Sequence, residues 1–215
     1  MDAFSQRGAL ERTGRPLGVV ELVYFGWRFW KRDSILLSFE WWIVAVSASS
    51  FFLYAISQWS IFYSLSIFLD AFSRWFGFPV IVVVGVIIFA RGVRLARWLE
   101  IALFVVGFLG AYIWVTYEVL APVKPWVYLI LAIWFAGFSV YLAAQLFSFN
   151  KKYLALFLFL VVVFNLFIAI AYDFYHIPWD DEHRTTFYTL ALASWALLLT
   201  AYYYACEACL SLRRR

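Results

Sequence analysis

Apolar residues fill this chain in long unbroken runs. The stretches Ile101 to Tyr117 and Tyr153 to Tyr172 carry no charged side chain and show none of the alternation of a half-buried strand. Each approaches the roughly 20 residues that a helix needs to cross a hydrocarbon core of about 30 Å. Because that core holds no water, every peptide group must find its hydrogen bond within the chain, which leaves helices or a closed barrel. Continuous apolar runs without polar alternation exclude the barrel. The pattern therefore predicts an all-α polytopic membrane protein.

Six spans follow from the polar interruptions. The first runs from about Glu40 to Trp59, with Trp41 and Trp42 as an aromatic anchor at its start. The second is short if confined to Trp75 to Ala90, and reaches spanning length when extended outward toward Phe68, with Asp70 and Arg74 snorkelling at the interface. The third, Ile101 to Ala121, is closed by the turn around Pro122 and Pro125. The remaining spans are Trp126 to Phe147, Tyr153 to about Tyr172, and Phe187 to Leu212. Ahead of them, Met1 to Pro16 reads as a polar tail with no apolar signal core, so the first hydrophobic helix directs insertion itself. Leu17 to Arg32 places Val20, Val23, Trp27 and Trp30 at spacings of three and four beside Arg28, Lys31 and Arg32, which predicts an N-terminal amphipathic helix at the membrane interface. The expected organisation is a tail and interfacial amphipathic helix over 1–38, a six-helix transmembrane bundle over 39–212, and a basic end over 213–215.

Composition agrees with that solvent: 66% of the residues are hydrophobic, 14% are charged, and the mean hydropathy is +0.85. The formal net charge of +4 matters less than where the cations fall. With the amino terminus in the cytoplasm, residues 1–38, 91–100, 148–153 and 213–215 lie inside and hold 14 of the 17 Lys and Arg, leaving Arg74, Lys124 and Arg184. That asymmetry predicts both termini on the cytoplasmic, or matrix-equivalent, face. It also interprets the ladder Arg91, Arg94 and Arg97. A voltage-sensing helix would need acidic partners within the spans, and the predicted spans place none near their midplanes. The ladder instead reads as an inner loop that turns at Gly92, its arginines binding lipid phosphates, as do Arg213, Arg214 and Arg215.

Candidate chemistry is sparse. Possible metal ligands gather only in the outer loop, where Asp173, His176, Asp180, Asp181, Glu182 and His183 offer carboxylates for a divalent cation or imidazoles for zinc, at a spacing that matches no ligand signature. Cys206 and Cys209 have Cys-x-x-Cys spacing, but they lie toward a helix C-terminus, where the dipole opposes a thiolate, and read as packing residues. Glu207 beside them is expected to pair with the closing arginines. The two histidines fall outside the spans, which argues against an intramembrane haem, and no serine sits in a nucleophile-like turn. Polar residues expected to line a pathway or a helix interface are Asn165, Ser47 and Ser50. Aromatic residues reach 23%, suited to a belt and to packing against lipid or neighbouring helices. No cofactor is expected beyond bound lipid and a divalent cation at the outer loop. The expected partners are membrane lipids and other membrane subunits, and nothing in the pattern addresses a nucleic acid. Spans without embedded charges favour a non-catalytic accessory or structural subunit of a larger membrane complex over the alternative, a component of a small-solute or ion transporter or channel.

Overall fold

Seven helices account for almost all of the chain that the structure describes, residues 17–175, 177–178, 180 and 184–213 of a computed structural model. They are α1 (Leu17–Trp30), α2 (Ile35–Ser57), α3 (Ser60–Arg91), α4 (Arg97–Thr116), α5 (Lys124–Ser148), α6 (Lys152–Phe174) and α7 (Thr185–Arg213). Helices α2 to α7 are each long and apolar enough to cross a membrane, and no strand occurs among the described residues. The chain is a multi-pass integral membrane protein of the all-α class.

Tight turns join these helices, and several are made by residues in the left-handed region. Gln58 (φ 58°) closes α2 by donating its N–H to the Tyr54 carbonyl, and Gly92 (φ 58°) closes α3 in the same way onto Ile88 and Phe89. Asp33 and Asn150 take the same conformation between α1 and α2 and between α5 and α6. Glycine reaches this region without strain, and asparagine and aspartate reach it more easily than most residues. Antiparallel hairpins result. The α2–α3 pair is in register from Tyr54 against Tyr63 to Leu37 against Gly85, and α6 pairs with α7 through Asn165 and Ser194 and through Tyr172 and Phe187.

α3 is irregular at its centre. An α-helical stretch Ser60–Phe72 passes into a π-helical segment, Ser73–Val82, and returns to α over Val83–Arg91. Pro79 lies inside that segment. Proline supplies no N–H and its ring crowds the preceding turn, so a wider turn is the local accommodation. The segment is also tied to its neighbour, the Trp134 indole of α5 donating to the Pro79 carbonyl at 3.3 Å.

The core forms where α2, α3 and α7 meet, around Trp41, Phe78, Leu199 and Tyr202, while α4 leans mainly on α3 through the stacked pairs Phe72–Phe108 and Trp75–Trp114. Gly107 and Gly110 of α4 permit that approach, since a Cβ on either would collide with Phe72, Phe76 or Trp75. α1 has the predicted length, but the stripe it buries is Leu22, Phe25 and Phe29, whereas Val20, Val23, Trp27 and Trp30, the expected apolar face, are exposed. Its axis follows the bundle: Gly18 faces Ala196 at one end and Arg32 meets Glu207 at the other, so α1 lies lengthwise along α7 and antiparallel to the first half of α2. The apolar stripe is taken up by protein, with Phe25 stacked on Tyr203 at 4.1 Å between ring centres.

Two span boundaries differ from the sequence expectation. The first span begins at Ile35, which carries Glu40 inside it, and the second begins at Ser60, which carries Asp70 and Arg74 inside it. Glu40 and Asp70 are buried by neighbouring helices, and Arg74 is partly buried among acids of α3 and α6. Long apolar helices override a boundary drawn at a charge when the charge has protein around it.

Candidate functional site

Arg74 organises the most concentrated polar cluster among the described residues. It projects from the beginning of the π segment of α3, and its guanidinium lies between two rings, 3.8 Å from the centre of Tyr128 on α5 and 3.8 Å from that of Tyr172 on α6. It donates to the Asp173 carboxylate at the end of α6, and Asp70, one turn earlier on α3, lies 4.0 Å away. The Tyr172 hydroxyl donates to the other side of the network, reaching Asp70 Oδ2 at 2.6 Å. An acid in the last turn of a helix opposes the helix dipole, so Asp173 depends on this cation. Arg184 completes the arrangement by donating to the carbonyls of Tyr172 (2.7 Å) and Tyr175 (2.8 Å), which have no partners within α6.

Below this cluster a pocket opens between α3, α5, α6 and α7. It has a cavity volume of about 70 Å³, with Arg74 and Tyr128 at one end, Phe78, Pro79 and Phe135 along its walls, and Asn165 and Ser139 farther in. Space exists because α5 and α6 present small side chains there, Ala132, Ala136 and Ala169. The Asn165 amide donates across the helix interface to the Ser194 carbonyl at 2.9 Å and within its own helix to Val161 at 3.3 Å. That leaves its carbonyl oxygen as the free acceptor of a half-buried side chain on the pocket wall. Ser139 and the Tyr202 hydroxyl share a 2.6 Å hydrogen bond, so this end of the pocket is already satisfied.

The other sequence-nominated residues have separate places. Ser47 is buried and donates to the Ser66 carbonyl at 3.2 Å, tying α2 to α3, and Ser50 is buried one turn along without facing the pocket. Of the outer-loop residues, Asp173 belongs to the Arg74 cluster. Asp180 accepts the N–H groups of Thr186 and Phe187, each at 2.9 Å, and so caps the first turn of α7. His176, Asp181, Glu182 and His183 lie outside the described residues, as do Arg214, Arg215 and the polar tail, and no group of three metal-ligating side chains occurs among the described ones. Arg91 ends α3, Arg94 lies in the turn and Arg97 opens α4, so the ladder is divided between two helices by the Gly92 cap. Arg94 and Arg97 face Asp33 at 2.9 and 3.8 Å in an exposed group. Arg213 is the last residue of α7. Cys206 and Cys209 are free thiols, the former buried. Glu207 takes Arg32 of the α1–α2 turn as a partner in a two-armed pair, and the side chains of the closing arginines lie outside the described residues.

Two acids are nevertheless buried inside the spans: Glu40, near the start of α2, is fully buried and Asp70 is 8% exposed in α3. One sequence signal pointed to the second. The apolar run from Ile61 to Ala90 is interrupted only by Asp70 and Arg74, an acid and a base one helical turn apart. Glu40 had no such signal, because an acid before two tryptophans reads as the edge of a span. Comparison with protein-family models, with curated proteins and with solved structures gives no match.

Proposed function

We propose that the protein binds and carries a small amphipathic molecule within the membrane, and that the pocket between α3, α5, α6 and α7 is its site. The observation that carries this reading is the combination of apolar walls with a buried cation at one end and the free Asn165 acceptor farther in. Ionisable groups inside spans are costly and mark ligand or ion routes more often than scaffolding, and a concave apolar pocket with a few converging polar groups is the usual form of a small-molecule site. The irregular backbone of α3 beside the pocket supports the same reading, since π segments concentrate where a helix must reshape around a ligand. A purely structural accessory subunit draws its support from the broad exposed aromatic faces of α4 to α6, including Tyr112, Trp134 and Phe167. Lipid alone accounts for such faces.

The orientation we propose puts the 31–34, 92–96 and 149–151 turns at the cytoplasmic face, because the cations outside the Arg74 cluster concentrate at that end. Lipid phosphates there are the proposed partners of Arg91, Arg94, Arg97 and the terminal arginines. Protein extracted from its own membrane is the direct test: mass spectrometry should find a stoichiometric small amphipathic molecule, absent when Ala132→Phe fills the pocket. Proteoliposomes of the purified chain should then show flux that falls on Asn165→Leu. A stoichiometric partner chain with no bound small molecule and no flux would reject the carrier in favour of the accessory subunit.

A further inference from the structure

A second polar feature lies where α3 faces α2, and its residues Glu40 and Ser73 do not line the carrier pocket. Among the described residues, the buried side-chain oxygens without a hydrogen-bond partner are both oxygens of Glu40, one of Asp70 and the hydroxyl of Ser73. The Glu40 and Ser73 oxygens belong to the α2–α3 seam, and Asp70, one turn along α3, also belongs to the Arg74 cluster. Asp70, Ser73 and Gly77 recur at three- and four-residue spacings along α3, so they share one face. The Glu40 carboxyl lies directly on Gly77, where a Cβ would come within 2.2 Å of Oε1, and the Ser73 hydroxyl is its close polar neighbour, just outside hydrogen-bonding geometry.

Charge balance decides the form of that carboxyl. The helices packed on α2 bring Tyr24, Glu21 and Arg28 from α1, Tyr63, Asp70, Arg74 and Arg91 from α3, and Tyr188, Tyr202, Tyr203, Cys206 and Glu207 from α7. None bonds Glu40. The nearer cations are engaged elsewhere: Arg28 with the Tyr24 hydroxyl, Arg32 with Glu207, and Arg74 with Asp173 and Asp70. A carboxylate excluded from water with no cation beside it is far less stable than the neutral acid even where Ser73 turns to donate to it, and the acid's single O–H can be accepted by the same hydroxyl after a small rotation. A metal cation in place of the proton would need about six oxygen ligands around it. The close backbone of Gly77 and the single hydroxyl of Ser73 do not provide them.

We propose that Glu40 is an intramembrane proton-binding site, holding its proton at neutral pH and releasing it only when the π segment of α3 moves off α2 to admit water. The site stands independently of the ligand pocket. Gly77 gives the carboxyl its space, and the π segment supplies the movable wall. Below the release pH the seam is closed and dry. Above it an ionised Glu40 holds the seam open.

Infrared spectroscopy of the full chain in lipid vesicles tests this from pH 5 to 10. At pH 7 the spectrum should contain the carbonyl band of an un-ionised carboxylic acid that moves on carbon-13 labelling of glutamate, disappears in Glu40→Gln and persists in Glu100→Gln. On raising the pH the band should give way reversibly to carboxylate absorption, while amide hydrogen exchange over Ser73 to Val82, corrected for its intrinsic base-catalysed rise with pH, quickens at least tenfold. Carboxylate absorption alone for the labelled glutamates at pH 7, or an acid band unmoved in Glu40→Gln, overturns the site. Loss of the band without faster exchange overturns the gating. The isotope comparison uses the native chain and reads the result even where Glu40→Gln fails to insert, with Ser73→Ala as the second variant, expected to shift the same band.

Discussion

Replacing Arg74 by methionine removes one cation from between two acids and two rings, and its cost can be estimated from the geometry. The guanidinium bonds Asp173, lies 4.0 Å from Asp70 and sits 3.8 Å from the ring centres of Tyr128 and Tyr172. Breaking a buried ion pair on one side leaves the other charge stranded and costs about 3–5 kcal/mol. Each ring contact adds about 0.5–2 kcal/mol. Methionine keeps most of the apolar volume, so little of the loss comes from a cavity. The decisive comparison is the triple variant Arg74→Met, Asp70→Asn, Asp173→Asn. With no stranded carboxylates it should recover most of the pair's cost and remain only about 1–4 kcal/mol below wild type, the share of the two ring contacts. Reversible unfolding of the purified protein in bicelles reads both variants. If Arg74→Met unfolds within about 1 kcal/mol of wild type, the pair is an exposed one in effect. If the triple variant is no more stable than the single, the cost lies in packing and the electrostatic account fails.

Other expectations are smaller in scale. Gly77→Ala places a methyl where the Glu40 carboxyl now sits and should destabilise by about 1–3 kcal/mol, whereas Gly137→Ala, with no atom within 4 Å of the new Cβ, should be neutral or stabilising by up to about 1 kcal/mol. Thermal unfolding of the two variants side by side checks the contrast. Arg32→Ala frees the end of α1 from α7, so hydrogen exchange over Val19 to Trp30 should quicken while that of α5 and α6 stays unchanged. An engineered Arg94→Cys should react with an impermeant maleimide from the proposed cytoplasmic face and not from the other. Labelling from the opposite face would reverse the proposed orientation.

How much could be read from the chain alone depends on which force was at work. Apolar length dictated the number and kind of the spans, because lipid offers the peptide group no partner outside its own helix. Gly92 and the cations around it marked the α3–α4 turn, and Asn165 was recognisable as an interface residue, since an amide in an apolar run must find a bond within protein. Residues distant in sequence decided the rest. Nothing local says that Asp173 answers Arg74, that Arg32 answers Glu207, or that the α1 stripe is covered by α2 and α7. Each of those partners is supplied by packing that brings together residues scores of positions apart. The pocket likewise needs four helices to enclose it, and Glu40 becomes a buried acid only when α3 lies across it. Solvent choice and hairpin turns are properties of contiguous sequence. The cost of a buried charge depends on its three-dimensional surroundings, so only the tertiary structure could set it.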